Sequence, residues 1–199
     1  MNHCAWTIDG SLLWAKEIHD GLTGAQVSGW VWWVLALWAD NQALIALSAG
    51  VGPEACDEPA TCRGPDECPS GYTCVFDPDN NGFCRQGVFD GHSYSVSKTL
   101  WALGNFSKFI RPGFVRIGTA LSNTSLLTSA YKDPTTGRFV IVAINNTTSA
   151  LTVWFNTVGF TGGVVTPYVT SSSQNLAPQP AVFLPSNVTI PAKSIVTYA

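Results

Sequence analysis

Charge is scarce in this chain. Only 12% of its 199 residues are Asp, Glu, Lys or Arg, and the formal net charge is −3. The basic residues are scattered, so no patch can neutralise a phosphate backbone, and no nucleic-acid partner is expected. Long apolar runs are missing too. The longest, residues 30–39, is too short to span a bilayer and ends at Asp40, which argues against a membrane partner. Residues 1–4 carry no basic segment and no apolar signal core, so no signal peptide is expected in this chain. No Cys-x-x-Cys pair, phosphate-cradling glycine loop, His-rich cluster or Ser/His/Asp arrangement occurs, so neither a metal site nor a cofactor is expected. Glutamate is confined to Glu17, Glu54, Glu58 and Glu67.

Apolar residues are plentiful. A hydrophobic share of 46% suffices for a packed core and argues against disorder. Eight tryptophans suit a sugar-binding surface, although large cores use them as well. Asp9-Gly10-Ser11 reads as a helix start, with Asp9 or Ser11 as the cap and Leu12, Ala15, Ile18 and Leu22 on one face. Gly21 and Gly24 mark its end, and His19 reads as a structural helix residue. Residues 25–37 are apolar on both faces, the pattern of a buried parallel strand.

Cys56, Cys62, Cys68, Cys74 and Cys84 crowd a segment rich in Pro, Gly and acid, within a stretch at 50–90. Their spacing favours a small disulfide knot over a metal site, with two bridges inside 56–84. Connectivity is open: the fifth cysteine pairs with Cys4 or with a partner outside the chain. Asp77-Pro78-Asp79-Asn80-Asn81-Gly82 copies the opening of a calcium loop, but Val88 stands where the closing Glu belongs, so a solvated turn is expected. Sequons begin at Asn105, Asn123, Asn145, Asn146 and Asn187. With the cysteines they point to an oxidising, secretory setting and an extracellular location, which suggests that an N-terminal part is missing.

Residues 98–113 read as a helix with Leu100, Leu103 or Gly104, and Phe106 or Ser107 on its stripe, widened by Trp101 and Phe109. Arg111-Pro112-Gly113 stops it. From residue 114 on, the pattern is all-β. Residues 139–145 are apolar on both faces and read as a central strand. Leu151, Val153 and Phe155 alternate with Thr152, Trp154 and Asn156, a half-buried strand with Trp154 on its polar face. At least six strands are expected at sandwich-like spacing.

The wording of the second helix, Lys-Thr-Leu-Trp-Ala-Leu-Gly-Asn-Phe-Ser-Lys-Phe-Ile-Arg-Pro-Gly, resembles the last barrel helix of glycoside hydrolase family 30. There the chain leaves a (β/α)8 barrel for a β-sandwich. The motif Leu-x-x-Ala-x-x-Ile-His from Leu12 to His19 resembles the family's seventh barrel helix, and Gly-Trp-Val-Trp-Trp ending at Trp33 its eighth strand. The resemblance covers residues 6–48 and 91–199. It implies a mainly-β chain: an antiparallel β-sandwich side domain (112–199) attached to the last helix–strand–helix of a (β/α)8 barrel (1–111), with the cysteine insert at 50–90.

By the same resemblance, Trp33 matches the indole that lines the sugar site beside the scissile bond. Val34 and Leu37 replace the family's glucuronate-gripping Tyr-x-x-Arg, which implies no specificity for glucuronoxylan. Both catalytic glutamates of the family precede the first helix, and none of the four glutamates here matches either position. The resemblance also implies that the sandwich borrows a strand from the N-terminal end of the family's chain. The expected function is thus the C-terminal part of a secreted, retaining hydrolase of a plant or fungal polysaccharide, inactive alone; the resemblance implies an endo-β-1,4-xylanase first and leaves β-1,6-galactanase, β-1,6-glucanase and glucosylceramidase-like activities open. The alternative is a non-catalytic carbohydrate-binding or interaction module.

Overall fold

The computed structural model describes residues 4–32, 35–37, 44–47, 61–76, 79–86, 93–159 and 161–199. Two compact units form: Met1–Ser11 with Val31–Leu100, and Leu12–Trp30 with Trp101–Ala199.

Helix α1 (Ile8–Thr23) buries Leu12, Ala15 and Ile18, the expected face, while Leu22 is half-buried. Its cap differs from expectation. Thr7 performs that role: its Oγ1 accepts from Gly10 N at 3.1 Å, and its carbonyl accepts from Ser11 N. Ser11 is instead buried, its hydroxyl 2.9 Å from that of Thr99, with Thr99 Oγ1 donating to Ala5 O at 3.0 Å. Gly10 has a steric reason, since a Cβ there would sit 1.9 Å from the Cys4 carbonyl oxygen. At the other end Gly24 N donates to Asp20 O, and Gln26, at φ 54°, turns the chain so that Val27 N reaches Gly21 O.

The segment after α1 corrects the sequence reading. The expected strand over 25–37 is not formed over its described length; only β1 (Ala36–Leu37) is strand, parallel to β2 (Ile45–Ala46). A strand exists through its ladder partners, and among the described residues nothing pairs with residues 25–32. Val31 is accordingly 91% exposed.

In the cysteine-rich part of the same unit, β3 (Tyr72–Phe76) and β4 (Gly82–Gln86) form an antiparallel hairpin that follows a 3-10 turn at Pro65–Glu67. β5 (Ser95–Val96) then pairs with β2.

Helix α2 (Lys98–Ser107) starts on Ser97, whose Oγ accepts from Leu100 N, and it stops short of the Arg111-Pro112-Gly113 breaker. Turns fill the gap, and Gly113 at φ 94° makes the exit. Its buried face runs through Ala102, Asn105 and Phe106, so the expected stripe is displaced toward Asn105.

The second unit is a β-sandwich. Its larger layer has six antiparallel strands in the order β12-β11-β15-β8-β7-β6. They are β6 (Val115–Ile117), β7 (Leu126–Lys132), β8 (Phe139–Asn145), β11 (Pro167–Thr170), β12 (Ala177–Pro178) and β15 (Ser194–Tyr198). β8 is flanked on both sides, as its two apolar faces demanded. Among the described residues β9 (Leu151–Phe155) pairs only with β14 (Ser186–Ile190), and β10 (Val164–Val165) with β13 (Val182–Phe183). The core draws on both layers: Leu126, Ala143, Val169, Val196 and Tyr198 meet Phe155, Val188 and Ile190. Phe155 and Tyr198 meet edge-on, their ring centres 5.3 Å apart.

Candidate functional site

The one residue with a sugar-facing role implied by the sequence, Trp33, lies outside the described residues, as do Val34, Glu54, Glu58, Cys56 and Asp77. Its neighbours in the sequence are described. Trp30 and Trp32 are half-buried, and Trp30 meets Trp14 edge-on with centres 6.5 Å apart. Both read as packing residues. β1 begins three residues past Trp33 and pairs in parallel with β2, Ile45 N donating to Leu35 O at 2.9 Å.

Retaining glycosidases need two carboxylic acids about 5–5.5 Å apart. Among the described residues, Glu17 and Glu67 are both exposed, and Glu67 serves a turn, its Oε2 accepting from Arg63 N at 2.7 Å. Neither is paired as an acid and a nucleophile. His19 is buried on α1, where loss of hydration holds its imidazole below the usual value; Asp20 opposes this, and Lys16 and Arg116 add to it.

Cys62 bonds Cys74 and Cys68 bonds Cys84. Cys74 and Cys84 stand opposite each other in the hairpin, yet each is bonded to the segment before it. Cys62 N also donates to Gly82 O, which clamps that segment across the hairpin. The sulfurs of Cys62, Cys68 and Cys84 lie within 4.8 Å of one another, close enough for a metal, but all three are committed to disulfides. Cys4 is disulfide-bonded as well, its partner lying outside the described residues. Of the calcium-like loop, Asp79, Asn80 and Asn81 are exposed, with Asn80 at φ 65°.

A groove of about 790 Å³ opens on the sandwich, between β9 and the sheet of β6, β7 and β8. Val153, Phe155, Ala130, Phe139 and Ile141 give it an apolar floor, and Trp154 with Asn156 and Asn123 stands at its rim. Among the described residues β9 has a ladder partner on one side only. An extended segment could therefore pair with β9 and cover the floor at once, whereas a free sugar would satisfy only the rim. Sequence reasoning had no signal for this groove except the expectation of a borrowed strand.

The sequons divide sharply. Asn105 and Asn145 are fully buried with their amide hydrogens engaged, so the folded chain does not offer them for modification. Asn123 is half-buried; Asn146 and Asn187 are exposed.

Comparison with known proteins places these observations. No family sequence model matches the chain. The glucuronoxylanase XynC of Bacillus subtilis strain 168 is 35% identical over 108 residues, 52% of this chain and 25% of that protein. The structure of a family 30 endoxylanase from Clostridium papyrosolvens C71 superposes on 100% of this chain and 39% of its own, with a TM-score of 0.67 and 27% identity. A family 30, subfamily 8 xylanase from Clostridium acetobutylicum shares the fold at a TM-score of 0.65 over 97% of this chain and 39% of its own, with 23% identity. The chain thus spans a quarter of the first curated relative's length.

Proposed function

Because this chain belongs to the C-terminal region of glycoside hydrolase family 30, we propose that the intact protein is a secreted, retaining endo-β-1,4-xylanase acting on a plant or fungal polysaccharide. The observation that carries this is the joint agreement with xylanases: 35% identity to a glucuronoxylanase, and superposition of the whole chain on a family 30 endoxylanase.

In this reading the two carboxylic acids belong to barrel strands ahead of α1, and this chain supplies the tryptophan that lines the sugar site, Trp33, together with the sandwich. Val34 and Leu37 stand in place of a tyrosine and an arginine, so these two positions supply no cation for a glucuronate branch. The preferred substrate is therefore xylan without a requirement for that branch, although the glucuronoxylanase is among the relatives. With no glutamate matching either of the family's catalytic positions, the chain by itself should not hydrolyse.

The groove beside β9 fits the family's borrowed strand, which would restore ladder bonds and cover Ala130, Phe139 and Ile141. The test is release of reducing sugar from unsubstituted xylan and from glucuronoxylan. The intact protein should act on both at comparable rates, and this chain alone on neither. Strict dependence on glucuronate would overturn the specificity. Binding of xylan by this chain alone, with no hydrolysis by the intact protein, would favour the non-catalytic module.

A further inference from the structure

We infer that Asn187 is an N-glycosylation site whose first pyranose packs on the indole of Trp154. The β9–β14 ladder sets Asn187 directly opposite Trp154 and Thr189 opposite Thr152. Opposed side chains on one face of an antiparallel pair have Cβ atoms about 4.5–5.5 Å apart. Alternation puts all four on the outer face, for Val188 and Ile190 are buried between them while Asn187, Thr189 and Thr152 are exposed. Trp154 is 59% exposed, an unusual condition for an indole in a well-formed strand.

Asn187-Val188-Thr189 is a complete sequon, and its geometry sets it apart from the others. Asn105 Nδ2 is spent on Thr170 Oγ1 and the Trp101 carbonyl. Asn145 Nδ2 is spent on the Ser149, Ile190 and Pro191 carbonyls. Asn123 Oδ1 accepts from Ser125 N, and Asn146 Oδ1 accepts from Lys193 Nζ. Among the described residues the Asn187 carboxamide takes no partner.

The donor is a lipid-linked oligosaccharide diphosphate. The Nδ2–C1 bond forms as the bond from C1 to the phosphate oxygen breaks; the amide gives up one proton and the lipid diphosphate departs. The first sugar then lies one cross-strand spacing from the indole face. A pyranose presents axial C–H groups to such a face, and stacking removes apolar indole surface from water. The inference rests on passage through a glycosylating secretory route and is independent of hydrolytic activity.

The test uses the full chain secreted from a glycosylating eukaryotic host. Enzymatic release of N-glycans in heavy-oxygen water, followed by peptide mapping, should mark Asn187 by conversion to labelled Asp and leave Asn105 unmarked. An unmodified Asn187 overturns the assignment, whatever the state of the other sequons. Stacking is tested by melting the glycosylated and the deglycosylated protein, each with Trp154 and with Trp154→Ala. The substitution should lower Tm by about 4 °C or more beyond its effect on the deglycosylated form, and Trp154→Tyr should recover most of that difference. Equal losses in both forms, or no recovery by Tyr, overturn the contact.

Discussion

Asn105 should be the costliest single polar side chain to remove from the sandwich. Its Nδ2 donates to Thr170 Oγ1 at 2.7 Å, and its Oδ1 and main-chain carbonyl share the Thr197 hydroxyl proton at 2.9 and 2.8 Å. Thr170 in turn accepts from Leu176 N. One fully buried carboxamide thus ties α2 to β11 and β15. Asn105→Ala removes the side-chain bonds to Thr170 and Thr197, leaves those hydroxyls only their main-chain partners, and should cost roughly 1–3 kcal/mol, read as a lower urea midpoint at unchanged slope. The sequence marks Asn105 as a surface sequon because its partners lie far away in the chain and an apolar-stripe reading counts Asn as outward. His19 was legible as a structural helix residue, and its buried position agrees. With its folded pKa depressed, the unfolded chain binds the proton more readily. Stability is therefore full above about pH 6.5 and falls as pH drops below that ordinary imidazole value. His19→Gln should flatten Tm between pH 7 and pH 5; an unchanged slope would show that burial of the imidazole carries no such linkage.

At the scale of elements, the hairpin and the sandwich were unequally legible. Alternation located β8 and β9 well, since a half-buried or central strand writes its environment into every second residue. The cysteine spacing indicated a knot but could not give its pairing, which depends on how the segment at 62–68 folds back over β3 and β4. Non-reducing peptide mapping should recover the pairs Cys62–Cys74 and Cys68–Cys84. Replacing Cys62 and Cys74 together with Ala should lower the local opening energy of β3 by about 2–4 kcal/mol, seen as faster amide exchange at Tyr72–Phe76. The expected strand at 25–37 failed for a different reason: composition reports how buried a strand wants to be, but only a neighbouring strand makes it one. The expected division at 112 can be tested against the Asn105 anchor. A fragment of residues 98–199 keeps that anchor, and a fragment of 112–199 loses both the anchor and the cover that α2 gives Thr170 and Thr197. Both should fold, with amides of β8 and β15 exchanging more slowly in the longer one; equal protection would show that α2 adds nothing to the sandwich.

For the whole molecule, the claim is that this chain holds the sandwich and one aromatic wall of a xylanase site whose acids lie in the rest of a barrel. Two surfaces carry the physical expectation of missing cover. Val31 and Leu35 are 91% and 60% exposed, and the groove beside β9 is floored by core-type residues. The chain alone should associate through residues 27–38, with light scattering above monomer mass, and pairing with a barrel segment should return it to a soluble complex. The sandwich was readable because the strands it forms here write their alternation into the sequence. The catalytic site was not, because its chemistry rests on carboxylates at positions this sequence does not match. The most direct measurement is proton NMR of xylo-oligosaccharide hydrolysis by this chain joined to a family 30 barrel segment bearing both glutamates. The account predicts hydrolysis with the β-anomer of the product appearing first, lost when Trp33→Ala is introduced. A soluble, folded complex that leaves the oligosaccharide intact, or that releases the α-anomer first, would contradict it.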